Sequence, residues 1–170
     1  MSAQSLYAVL DTARDERLYD LVMAASEHSC MFGGVVAPPL DRAAPYLVNL
    51  KSHEPLFRAW RDQGRGLAWG IMLRSHLPLG ELRLHLKHFM VVKMPDGTVA
   101  QFRFYDPRVF VPYMLSCTPE ELAPWFGGVS VFLAESHQTG GFHEFGHENG
   151  MLDVFLSYFS DAYAKASKPK

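Results

Sequence analysis

The residues best typed and spaced for chemistry run from His143 to Asp153: His143-Glu144-Phe145-Gly146-His147-Glu148-Asn149-Gly150-Met151-Leu152-Asp153, an H-E-x-x-H-x-x-G-x-x-D pattern. On a helix, His143 and His147 would fall one turn apart on the same face. With Asp153 as a third ligand past the glycine turn they would hold Zn²⁺, and Glu144 would activate the bound water as general base. The chemistry implied is metal-assisted hydrolysis. A second group is Arg103, Asp106 and Arg108, three charges within six positions. Two readings fit it: a structural Arg–Asp brace, or a recognition site for a partner's carboxylate or backbone.

The elements around each group decide how much weight it carries. Gly140-Gly141 precede the first histidine and Gly146 lies inside the pattern, and each interior glycine costs a helix about 1 kcal/mol relative to alanine. A helix there would last about two turns, which is marginal without packing support. Asp153 falls where a first-turn acidic residue of a following helix is expected on dipole grounds, and no methionine follows Met151. As a strand, the segment would alternate Phe142, Glu144 and Gly146 against His143, Phe145 and His147, with both histidines on one face. A small zinc protease built on His143, Glu144 and His147 is therefore the alternative reading, and neither a metal nor any other cofactor is expected. Ser130 lacks a G-x-S-x-G context, and His76, His85 and His88 read as surface or packing histidines.

The charged trio sits at the end of the most patterned stretch, residues 67–110. Leu67 to Leu73 reads as a buried strand closed by Arg74 and Ser75. Pro78 opens a helix with Leu79, Leu82, Leu86 and Phe89 on one face. Phe89–Met94 and Thr98–Phe104 flank Pro95-Asp96-Gly97 as a hairpin. Asp106 suits a helix cap and Pro107 the first helical position, although Pro112 is expected to interrupt that helix.

Several strings here, in order, resemble the adaptor-chaperone domain of type VI secretion systems, the Tap/Tec family. They are Tyr7-Ala8-Val9-Leu10-Asp11, Ala44 to Leu50, Gly70 to Ser75, Glu81 to Lys87, the Asp96-Gly97 turn, and Phe102-Arg103-Phe104-Tyr105-Asp106-Pro107-Arg108-Val109. The resemblance covers roughly residues 5–135. It implies a chaperone without enzymatic activity that binds a toxic effector and helps load it onto the VgrG spike. The candidate contact residues are then Arg103, Tyr105, Asp106, Arg108, Phe110, Tyr113 and Trp125.

Composition sets outer bounds. The chain has 170 residues, 48% hydrophobic and 20% charged, an ordinary globular mix with enough length for a core. A net charge of −2 supplies no basic field for nucleic acid. Cys30 and Cys117 form no C-x-x-C, the N-terminus lacks a basic-then-apolar leader, and no apolar run reaches the ~20 residues that span a bilayer. A cytoplasmic protein without membrane or nucleic-acid partners is expected.

Strands are expected at Leu6–Leu10 and Tyr46–Leu50, and helices after Thr12 and from Pro55 to Gly64. Thr118-Pro119-Glu120-Glu121 starts a further helix that carries Leu122, Trp125 and Phe126. Val129–Glu135 reads as a strand and His137–Gly141 as a turn into another. A broad apolar helix is expected from Gly150, through Met151, Leu152, Val154, Phe155, Leu156, Tyr158 and Phe159 to Ala162 and Tyr163. The fold class is α/β in the mixed α+β sense. Residues 1–110 form a mixed-sheet lobe with flanking helices and some parallel pairing, and 111–170 a smaller, mainly helical lobe packed on it.

Overall fold

The computed structural model describes residues 3–136 and 140–158. The chain is mixed α+β. Its strands are β1 (Ser5–Asp11), β2 (His28–Cys30), β3 (Pro45–Asn49), β4 (Gly70–Ser75), β5 (Val91–Lys93), β6 (Val99–Gln101), β7 (Val129–Glu135), β8 (Phe142–Glu148) and β9 (Met151–Ser157). Seven of them make one sheet in the order β2-β3-β1-β4-β7-β8-β9, and β5 and β6 pair apart as a hairpin.

Every described ladder is antiparallel, which corrects the expected parallel pairs. The strand–helix–strand alternation is present, but β3 and β4 both pair antiparallel with β1, one on each side. They therefore run parallel to each other with β1 between them. The crossover is real; the parallel ladder is not.

Helices cover both faces. The face bearing Leu6, Ala8, Leu10, Val48 and Met72 packs against α1 (Leu18–Met23) and α2 (Pro55–Ala59), which continues as a π turn over Trp60–Gly64. The opposite face bears Tyr7, Val9, Leu47, Ile71, Leu73, Phe132 and Phe145. It packs against α3 (Leu79–Lys87), α4 (Pro107–Ser116), α5 (Pro119–Leu122) and the 3-10 turn Ala123–Phe126. Strand side chains alternate between faces, so a central strand covered on both sides is mostly apolar and must pair any polar group it carries. In β4, Arg74 pairs with Glu144 and the Ser75 hydroxyl donates to the Gly128 carbonyl. β4 is buried at all six positions.

Helix starts follow their local chemistry. Asp106 caps α4 by accepting the Arg108 backbone N–H at 2.9 Å, with Pro107 in the first turn. Thr118 and Glu121 form a reciprocal capping box: the Glu121 N–H donates to the threonine hydroxyl and the Thr118 N–H to the carboxylate. The helix expected after Thr12 arrives in two pieces, a 3-10 turn at Thr12–Arg14 capped by Asp11 and then α1.

Two expectations need correction. α4 runs through Pro112 without a break. Proline removes the N–H that would bond the Arg108 carbonyl, but both residues are exposed, so solvent can take that acceptor and the cost of an interior proline falls. The apolar segment expected as a helix from Gly150 is instead β9, hairpinned onto β8. Asn149 (φ 53°) and Gly150 (φ 78°) form the two-residue turn, and two adjacent positive φ values are what a type I′ hairpin requires. The part beyond residue 110, expected to be mainly helical, thus adds β7, β8 and β9 to the main sheet. Phe159, Ala162 and Tyr163 lie outside the described residues.

Among the described residues no helix is long and apolar enough to cross a membrane.

Candidate partner-binding surface

The charged trio is brought to one place by the end of β1, the loop after β6 and the start of α4, but not as a single triangle. Arg103 forms an ion pair with Asp11, the last residue of β1. Arg108 pairs with Asp106, Nε at 3.0 Å from one carboxylate oxygen and Nη2 at 2.7 Å from the other. Both carboxylates are buried, with side chains 3% and 8% exposed, whereas the Arg103 and Arg108 side chains are 50% and 48% exposed. Each guanidinium is therefore seated on a buried anion while much of its fork of five N–H donors faces solvent.

The electrostatics agree with the geometry. Burial works against the charged form of Asp106, but the Arg108 side chain and backbone N–H, with further help from the Arg14 charge, outweigh it and hold the carboxyl below its usual range. The bond to Asp106 raises Arg108 in turn. Burial would lower Arg103, but the Asp11 charge and hydrogen bond more than offset it. The Arg103 guanidinium lies 5.9 Å from the centroid of Tyr105, whose phenol burial pushes upward.

The seven candidate residues divide by exposure. Arg103 and Arg108 present their charged ends, and Tyr113 is partly buried. Tyr105, Asp106, Phe110 and Trp125 are buried. Trp125 is the hub of an aromatic cluster: it stacks on Phe89 at 3.9 Å and meets Phe104, Tyr113, Phe110 and Phe132 edge-on at 5.4–6.0 Å. Such offset contacts add to the area that large rings bury. The outer face of α4 adds what sequence reasoning missed: Val109 next to Arg108 and Leu115 two turns further on, 37% and 59% exposed. A helical spacing from Arg108 through Val109 and Pro112 to Leu115 was the available signal.

The H-E-x-x-H pattern lies on β8 rather than on a helix. Four residues of strand separate its histidines by about 13 Å, too far to share one metal ion. His147 stacks on Phe126 at 5.1 Å between ring centroids, and His143 tilts towards Phe145. Glu144 points to the opposite face, where it forms a buried ion pair with Arg74 at 3.1 Å. Asp153 is registered against Gly146. Among the described residues no three His, Cys, Asp or Glu side chains are grouped to hold a metal. The zinc geometry is not assembled.

Against known proteins, no curated protein and no solved structure matches. Residues 6–124 match the family described as "Domain of unknown function (DUF4123)", known as the type VI secretion effector adaptor/chaperone (Tap/Tec) domain. That match spans most of the chain and every element that builds the Asp11–Arg103 and Asp106–Arg108 pairs. The chain is a member of the DUF4123 family, the type VI secretion effector adaptor/chaperone domain.

Proposed function

We propose that this protein is a cytoplasmic adaptor that captures one cognate type VI effector and helps load it onto the VgrG spike, by binding and without chemistry of its own. The observation that carries the reading is the pair of half-exposed guanidiniums on buried carboxylates, inside the span of the family match. Arg103 and Arg108 offer planar, fixed donors to carboxylates or backbone carbonyls of the effector. Val109, Tyr113 and Leu115 on α4 supply the adjoining apolar contact. Tyr105, Asp106, Phe110 and Trp125 hold that surface in place from beneath.

The test is co-purification. Tagged protein co-expressed with a candidate effector and its spike should retain both, and Arg108→Ala should weaken effector capture at least tenfold while far-UV circular dichroism stays unchanged. Capture that is indifferent to Arg108→Ala and to Leu115→Asp would remove this surface from the account. No capture of any effector encoded beside the gene would remove the adaptor reading itself.

A further inference from the structure

β9 closes one side of the main sheet, and among the described residues no strand pairs with its outer edge. It carries few of the usual guards of an exposed edge: its seven residues, Met-Leu-Asp-Val-Phe-Leu-Ser, include no lysine and no proline, and Asp153 is the single charge. Met151, Val154, Phe155, Leu156 and Tyr158 are 69%, 40%, 62%, 49% and 52% exposed. A row of outward backbone N–H and C=O groups between apolar side chains is a template that another extended chain can pair with along its whole length.

The register says which groups point outward. In a two-residue hairpin the residues flanking the turn exchange hydrogen bonds, and bonded pairs then alternate. Met151, Asp153, Phe155 and Ser157 thus bond inward to Glu148, Gly146, Glu144 and Phe142. An independent contact gives the same parity: the Ser136 N–H donates to the Gly141 carbonyl at 2.8 Å, which puts the β7–β8 bonds on the odd-numbered residues of β8 and leaves the even ones for β9. The free edge is therefore the backbone of Leu152, Val154 and Leu156. Their side chains share the sheet face of Phe145, and Leu152 already packs into that core.

We propose that the occupant of this edge is β9 of a second copy, paired antiparallel across a two-fold axis at Val154. That register sets Val154 against itself and Leu152 against Leu156 of the partner subunit, all with outward backbone groups, and continues the apolar row of the Phe145 face across the seam. It also sets Asp153 opposite Phe155 of the partner subunit, so no like charges face each other directly. Taking a large side chain at roughly 150–200 Å², the five exposed residues leave on the order of 500 Å² per copy. Two copies then bury at most about 1,000 Å², at the lower bound for a specific interface. The surface shares no residue with the Arg103–Arg108 site.

The discriminating substitution is Val154→Pro. It removes an N–H that faces away from β8, so the hairpin within the chain loses no bond while the seam loses its centre. Sedimentation equilibrium of the full chain from about 1 to 100 µM should give twice the 19.2 kDa chain mass at the upper end. Val154→Pro should raise the dissociation constant at least a hundredfold with the circular dichroism spectrum intact. If that variant fails to fold, Val154→Lys and Leu156→Lys give the same reading without changing the backbone. A wild-type protein that stays at one chain mass to 100 µM overturns the proposal, as does a dimer unmoved by these substitutions. A monomer whose β9 amides become protected from exchange only with effector present overturns it too, and assigns the edge to the effector.

Discussion

The Arg103 guanidinium and the Asp11 carboxylate, 92 residues apart in the chain, form an ion pair that ties the end of the inner strand β1 to the loop leading into α4. Asp11 also accepts the Ala13 N–H at 3.1 Å, so one buried carboxylate serves as both a turn cap and an anchor. Arg103→Ala leaves that carboxylate buried without its cation, at a cost of about 1–3 kcal/mol in urea unfolding. Adding Asp11→Asn should recover part of the loss. Equal, additive losses would mean that the two groups do not interact.

Trp125 offers a sharper division between packing and contact. Trp125→Ala should cost about 3–5 kcal/mol, the range for emptying a large aromatic site, and Trp125→Phe much less. A variant that keeps its stability yet loses effector capture would reverse the assignment and put the indole in the interface.

Acid should expose the carboxylate pairs. Arg17 holds the Asp15 carboxyl at about 2, and the Arg108 contacts hold Asp106 below its usual range. Groups depressed on folding stabilise above the unfolded carboxylate pKa of about 3.9, and lose that contribution as pH falls through the folded value. The melting-temperature gap between wild type and Arg17→Ala should thus be full at pH 6 and narrow between about pH 4 and pH 2, down to what the Arg17 contacts with Gln63 and Trp69 contribute. A gap that widens in acid would contradict the pairing.

Chelation tests the β8 histidines. Prolonged dialysis against EDTA should leave the melting temperature unchanged, and purified protein should carry well under one zinc per chain, as should His147→Asn. Stoichiometric zinc that disappears with His147→Asn would mean that β8 rearranges to bring the two histidines together.

Local chemistry was well written in the sequence where a single residue dictates a backbone state. The Asp106-Pro107 helix start, the Thr118–Glu121 capping box and the Asp96-Gly97 turn all stand where their residues place them. The Arg103–Asp106–Arg108 trio was legible as a cluster but not in its partners, because Asp11 reaches it only through tertiary folding. The C-terminal hairpin went unread for a different reason. Its apolar residues are dense enough to satisfy a helical period and a strand period together, and Asn149-Gly150, the two-residue turn signal, was the arbiter. The H-E-x-x-H match is the same lesson from the other side: correct spacing in residues means nothing for a metal until the rise per residue is known.

The central position of β4 sets a timetable. Its partner on one side, β1, precedes it in the chain, but its partner on the other, β7, begins about fifty residues later. At ribosomal speeds of about 5–20 residues per second, that gap lasts from roughly three to ten seconds. For that interval a strand buried at all six positions of the finished fold waits with one edge open. A nascent chain stalled before residue 129 should therefore be the aggregation-prone species, and release of the β7 segment the step that makes it safe.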